Sequence, residues 1–232
     1  MTLDSPVLVV AAHPDDEVLG CGGTIARMSA SGADVHVLLM GEGVTSRQPD
    51  GGGSDAQKIA DLAAAAQLAG KVLGASSVRT EGLPDNRLDG MDLLDIVKLV
   101  EDVIDRLRPA TVFTHHYGDL NIDHRLVHEA TLVACRPHPA QSVRSLFAFE
   151  VPSSTDAVPA AHQNAFLPNW YIDITSTLNA KLAALEVYAS EMRPWPHPRS
   201  MQAVEHLARW RGASSGVEAA EAFQLLRHIP GL

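Results

Sequence analysis

Apolar runs alternate with longer helical patterns along most of the chain. Val7–Ala12 (VLVVAA) is apolar throughout, which predicts a strand covered on both sheet faces. Val18–Ser31 predicts a helix, stopped at Gly32, and Asp34–Met40 (DVHVLLM) a second strand. Gly41–Ser54 (GEGVTSRQPDGGGS) has the composition of a loop, and Asp55–Gly74 that of an Ala-rich helix. Ser77–Glu81 predicts a short strand and Leu83–Gly90 a polar loop. Met91–Leu107 carries apolar residues at helical spacing before Pro109, and Thr111–His115 (TVFTH) is a further strand opening into HYGDLNIDH.

This series predicts an α/β fold with a mostly parallel sheet covered by helices on both faces. Its ligand site belongs beyond the carboxyl ends of the strands. The polar clusters at residues 13–17 and 115–124 both fall on that edge. The last third is less regular. Arg125–Cys135 reads as a helix, Ser145–Val151 as a strand and Pro152–Pro168 as a long loop. Tyr171–Ile174 reads as a strand and Thr177–Ala189 as a helix. Arg193–Ser200 (RPWPHPRS) is neither, Met201–Gly212 is helical, and Ala222–Ile229 fits a strand or a helix. No repeat and no linker divides the chain, so residues 1–232 are expected to form a single domain.

Composition narrows the partners. The 18 basic and 28 acidic residues give a net charge of −10, which argues against nucleic acid or an anionic membrane surface as partner. A small-molecule substrate fits better. Cys21 and Cys135 are far apart and suggest neither a disulfide framework nor a Cys-based zinc site, so a reducing, cytoplasmic setting is expected. The first residues lack the basic region of a secretory leader, and no apolar run is long enough to span a bilayer. The oligomeric state is left open, a homo-oligomer included.

The chemistry concentrates in Ala12–Gly23 (AHPDDEVLGCGG). His13 and Asp16 are three apart just past a strand, where a turn brings imidazole and carboxylate to one point. Zinc accepts both ligand types, and a catalytic zinc takes three protein ligands with one position left open. A later histidine would complete the set, and spacing alone leaves His124, His128, His115 and His116 as alternatives. The adjacent Asp15 could then accept a proton from water and deliver it to a leaving amine. The plainer alternative for HPDD is a helix start capped by aspartate after a turn proline.

AHPDDEVLGCGGTIA together with DLNIDHRLVHEA resembles the PIG-L (LmbE-like) zinc-dependent deacetylases, which act on N-acetylglucosamine-type amino sugars. YASEMRPWPHPRS and RGASSGVEAAEAF resemble one bacterial subgroup of that family. The resemblance implies a Rossmann-like fold and one Zn2+ per chain. It makes His13, Asp16 and His124 the zinc ligands and Asp15 the general base. His124 is the second His of a family H-x-x-H motif, and His128 is then no ligand. The first His of that motif helps bind substrate and steady the oxyanion in the family, but here the position is Asn121. An amide can donate a hydrogen bond but cannot transfer a proton. His197, in the proline-bound segment, is therefore a candidate replacement, and Asp123 a candidate to orient a neighbouring imidazole or Asn121.

Substrate contacts are expected from Arg47 and from Asp85 or Asn86, in loops on the active edge. Arg193 and Arg199 suit an anionic or polar aglycone. The family's Arg-x-x-Glu helix pattern is missing from SDAQKIADLAAAAQLAG. Trp195 could stack on a sugar ring. The function expected is hydrolysis of an acetamide on an N-acetylglucosamine-type sugar or its conjugate. An amidase acting on a thiol conjugate of glucosaminyl-inositol would use the same site. A divalent-metal phosphoesterase is a further alternative, disfavoured by two His ligands, and an idle sugar-binding protein would not need the full His13, Asp15, Asp16, His124 set.

Overall fold

A computed structural model of the chain describes residues 3–47, 55–159 and 164–230. Its strands are β1 (Val7–Ala11), β2 (Val35–Gly41), β3 (Ser77–Leu83), β4 (Thr111–His115), β5 (Ser145–Phe149), β6 (Trp170–Asp173) and β7 (Ala220–His228). They form one seven-stranded sheet in the order β3-β2-β1-β4-β5-β7-β6. The pairs from β3 through β5 are parallel, and β7 runs antiparallel to both β5 and β6. β7 is the segment whose pattern fitted strand or helix. Its short apolar content has no decisive period, and pairing between β5 and β6 settles its state.

Six α-helices complete the described residues: α1 (Asp16–Ala30), α2 (Asp55–Leu73), α3 (Leu93–Leu107), α4 (Ile122–Ala134), α5 (Leu178–Val187) and α6 (Met201–Ser215). Alternate residues of β1 divide the core. Val7, Val9 and Ala11 pack with α1, α2 and α5, while Leu8, Val10 and Ala12 pack with α3 and α4. Both faces are thus covered, as the unbroken apolar run in β1 predicts. Two helices begin earlier than their apolar patterns suggest. α4 starts at Ile122 because Asn121 Oδ1 accepts the Asp123 N–H at 2.8 Å, and α1 starts at Asp16. The expected loop at residues 41–54 contains a 3-10 turn at Thr45–Arg47, and residues 48–54 lie outside the described residues, as do 160–163 of the loop expected at 152–168.

The glycines of α1 let it lie close to its neighbours. A Cβ on Gly20 would meet the Phe149 ring at 2.3 Å, and one on Gly23 would meet Ile174 at 2.6 Å. The same helix is tied to the C-terminal third by a buried ion pair. Lys181 Nζ donates to Glu221 Oε1 at 2.6 Å and to the Leu19 carbonyl at 2.8 Å. Glu221 in turn accepts the Gly23 and Thr24 N–H groups at 2.9 and 2.7 Å. Removing one partner strands a buried charge. Lys181→Met is therefore expected to lower unfolding free energy by about 3–5 kcal/mol. Arg106→Ala, which breaks the exposed Arg106–Asp102 pair on α3, should cost less than about 1 kcal/mol in the same urea titration.

Candidate active site

The carboxyl ends of the parallel strands converge on a cavity of about 320 Å³. Its lining comes from the loop after β1 (His13 to Asp16), the loops after β2 (Gly43) and β3 (Asp85, Asn86), the start of α4 (Leu120, Asn121, His124), the loop after β5 (Val151, Ser153, Ser154), and Arg199. The order β2-β1-β4 places the switch in crossover direction at β1, where such crevices form.

His13, Asp16 and His124 meet at the base of this cavity, buried, with one ligand atom from each within 4.8 Å of the others. Asp16 Oδ2 lies 3.4 Å from His13 Nδ1 and 3.3 Å from His124 Nε2, and also accepts the His13 N–H at 2.9 Å. Burial alone would lower both imidazoles. The carboxylates of Asp123 and Asp16 overcome it at His13 and raise it to about 10. Asp16 and Asp119 raise His124 to about 9 against the same burial. Burial would raise Asp16, but the two histidines hold it well below the usual carboxylate range. The cluster therefore demands positive charge, which without a metal is met by protons. A divalent metal meets the same demand, and a donor set of two imidazoles and a carboxylate suits zinc and similar metals.

More carboxylates brace the two imidazoles from behind. Asp123 Oδ2 is 3.0 Å from His13 Nε2, and Asp85 Oδ1 is 3.2 Å from the same nitrogen. Asp119 Oδ1 lies 3.2 Å from His124 Nδ1. Each is itself held. Asp123 accepts N–H groups of Asn86 and Leu88 at 2.7 and 3.1 Å, and Asp119 accepts the Asn121 N–H at 2.9 Å and the hydroxyls of Ser154 and Thr155. Such partners fix the ring orientation of a ligating histidine.

Asp15 is different in kind. It occupies the N-cap of α1 but its side chain makes no capping hydrogen bond, so the capped-helix alternative for HPDD does not describe this residue. Its carboxylate instead faces Arg199 Nη1 at 3.2 Å. Burial and the neighbouring Asp16 push Asp15 well above the usual carboxylate range, while Arg199 pulls it down. Its backbone φ is 120°, and Asn86 and Ser153, at 51° and 75°, are also in the cavity lining. Arg108, at the C-cap of α3, is the one other described non-glycine residue with positive φ. Strained backbone gathered at one cavity is a mark of function.

The structure brings His13, Asp15, Asp16, Asp85, Asn86, Asn121, His124 and Arg199 together at the cavity, with Asp123 directly behind His13. It separates the other expected residues from it. His197 does not line the cavity, because its Nδ1 accepts the Arg199 N–H at 3.0 Å, and the side chain this loop delivers is Arg199. Arg193 donates to the carbonyls of Ser190 and Met192, outside the lining. Trp195 is exposed and packs edge-on against His206. The side chain of Arg47 lies outside what is described. Asn121 spends its Oδ1 on capping α4 and directs Nδ2 to Asn86 Oδ1 at 3.0 Å. His128 binds the His115 carbonyl at 2.7 Å, and His115 Nε2 accepts the Ala12 N–H at 2.8 Å. Burial and the nearby His124 keep His115 low, so it serves as a neutral clamp between β1 and β4. Asp119 and Glu42 were not singled out by sequence. Glu42 is buried and accepts the N–H groups of Val44 and Asp85 at 2.7 and 3.0 Å, fastening the loops after β2 and β3 to each other.

A mostly parallel sheet thus carries at its carboxyl edge a buried His-Asp-His cluster with a carboxylate beside it that makes no capping hydrogen bond. The chain matches the PIG-L family (GlcNAc-PI de-N-acetylase) over residues 8–135, more than half of its 232 residues, and belongs to that family. It is 30% identical to the 1D-myo-inositol 2-acetamido-2-deoxy-alpha-D-glucopyranoside deacetylase of Rhodococcus erythropolis, over 86% of this chain and 71% of the relative. Diacetylchitobiose deacetylase of Thermococcus kodakarensis is 26% identical, over 97% of this chain and 84% of that one. Among solved structures, the 4-carboxy-2-hydroxymuconate hydratase of Pseudomonas putida superposes with a TM-score of 0.78 at 24% identity, covering 97% of this chain and 98% of that one, a likeness of fold.

Because both imidazoles hold protons when no metal is bound, metal uptake must displace them. Affinity of the metal-free protein for zinc is expected to rise with pH through about 9 and on to about 10, where first His124 and then His13 lose their protons unaided. Calorimetry in two buffers of different protonation enthalpy will show the proton release. Asp123→Asn should weaken the same affinity by about 10–100-fold.

Proposed function

We propose that this protein is a zinc-dependent N-deacetylase that hydrolyses the acetamide of an N-acetylglucosamine-type amino sugar or its conjugate. The observation that carries the reading is Asp15, a buried carboxylate aimed at Arg199 and the cavity beside the His13, Asp16 and His124 cluster. Support also comes from the family and from the relatives named above, a deacetylase of 1D-myo-inositol 2-acetamido-2-deoxy-alpha-D-glucopyranoside and one of diacetylchitobiose.

A divalent metal held by His13, Asp16 and His124 would polarise the acyl carbonyl and bring the pKa of water toward ~7. The protein's own groups supply the rest. Asp15 takes the proton of the attacking water and later returns it to the departing amine, so one carboxylate serves as base and then acid. Its raised proton affinity suits the second half of that task. Asp123, Asp85 and Asp119 keep the two imidazoles from turning. Leu120 and Val151 give an apolar wall for the body of the ring, and Asn86 and Asn121, joined to each other through their amides, line the wall beside them. Among the described residues no helix is long and apolar enough to cross a membrane.

The test is acetate release from a panel of N-acetylglucosaminides, including an inositol conjugate, alongside metal analysis of the same preparation. Chelator-sensitive release with one zinc per chain is expected. Zinc without release from any amide, or release that survives chelation, would sink the reading. Asp15→Asn should cut kcat by about 10²–10⁴-fold while zinc content stays at the wild-type level.

A further inference from the structure

The main chain of Asp15 is fixed independently of its carboxylate. Its N–H donates to Glu17 Oε2 at 3.1 Å, and the other oxygen of Glu17 accepts the Tyr188 hydroxyl at 2.6 Å. Tyr188 is wholly buried at the end of α5. These contacts hold the positive φ of Asp15. What they leave free is rotation about the side-chain bonds, which decides whether the carboxylate faces the cavity.

Arg199 removes that freedom. Its Nη1 donates to Asp15 Oδ2 at 3.2 Å, and among the described residues it is the one Lys or Arg in the cavity lining. The guanidinium is delivered by a braced segment. The Arg199 N–H donates to His197 Nδ1 at 3.0 Å, the Arg199 carbonyl accepts the Arg193 N–H at 3.1 Å, and the next residue, Ser200, caps α6 through the Ala203 N–H at 3.1 Å. The Nε of Arg199 is buried and has no hydrogen-bond partner. Among the contacts described for this guanidinium, the Asp15 carboxylate is its partner. An arginine retained for a distant ion pair or for packing would not be aimed here.

We propose that Arg199 is a positioning residue for Asp15: it holds the carboxylate toward the cavity from a loop in the C-terminal third of the chain. Its part in turnover rests on the reading of Asp15 as proton carrier, while the placement of the carboxylate does not. This role differs from recognition of an anionic aglycone, in which Arg199 would bind substrate and leave Asp15 indifferent to its loss.

The experiment compares Arg199→Ala and Arg199→Lys by crystal structure, by zinc content and by kinetics on a neutral N-acetylglucosaminide. In Arg199→Ala the Asp15 side chain should leave its present orientation or split between rotamers, with zinc content unchanged. The kcat should fall by about 10²-fold, the cost of misplacing a reacting group by roughly 1 Å, with KM near the wild-type value. Arg199→Lys should recover part of the kcat, since an ammonium keeps the charged contact but not the planar fork. An Asp15 that stays in place in Arg199→Ala overturns the proposal, as does an unchanged kcat or a loss confined to KM. If wild-type protein releases no acetate, the proposed reaction fails, and the position of Asp15 in the two variant structures then decides the positioning role by itself.

Discussion

Buried negative charge at the end of β1 is the constraint on which the rest of this structure depends. Asp15, Asp16, Asp85, Asp119 and Asp123 are each no more than 3% exposed, and they crowd around two imidazoles. Unpaired carboxylates cannot be kept in such a place. The loops at the sheet edge are folded so that their N–H and hydroxyl groups point at these oxygens. Asn86 and Leu88 turn toward Asp123, Ser154 and Thr155 toward Asp119, and Ser46 toward Asp85. The shape of the cavity wall is thus a consequence of satisfying the carboxylates beneath it.

A parallel sheet makes that concentration attainable. Every strand from β3 through β5 delivers its following loop to the same edge, and the opposite crossovers on either side of β1 open a crevice there. The start of α1 faces the crevice, and its acidic first turn sits where the helix dipole favours negative charge. Gly20 and Gly23 let this helix press against Phe149 and Ile174, while the Lys181–Glu221 pair ties its middle to α5 and β7. The helix that carries Asp16 is therefore anchored along its length by tertiary contacts, as a site built on a rigid element requires.

What could be read from the sequence follows the range of each interaction. That His13, Asp15 and Asp16 come together at one point was legible because it depends on spacing within one turn after an apolar strand. The parallel core was legible for the same local reason, since unbroken apolar runs mean two covered faces. His124 needed the family resemblance, because spacing could not separate it from His115 and His128, which the fold uses as clamps between backbone segments. Asp119 lay within the 115–124 cluster with nothing to single it out, and Glu42 gave no signal. Each is a single acid in a polar loop, and its work is done on groups far along the chain or across a loop closure. His197 and Arg199 show the limit most plainly. Both lie in RPWPHPRS, and which of them reaches the cavity depends on how the segment folds back on itself through the His197 ring. No periodicity encodes that turn.

The division of labour along the chain follows from the same geometry. The cluster that calls for a metal is assembled wholly within residues 8–135, the stretch that matches the family. Val151, Ser153, Ser154 and Arg199 close the cavity from beyond it, and Tyr188 backs the acidic turn through Glu17. The parallel strands must converge in one way for the ligands to meet, so the first part has little latitude. The loops after β5 and before α6 meet it through the hydroxyls on Asp119 and the guanidinium on Asp15. That later, less periodic third, which completes the cavity wall, is also where pattern alone says least.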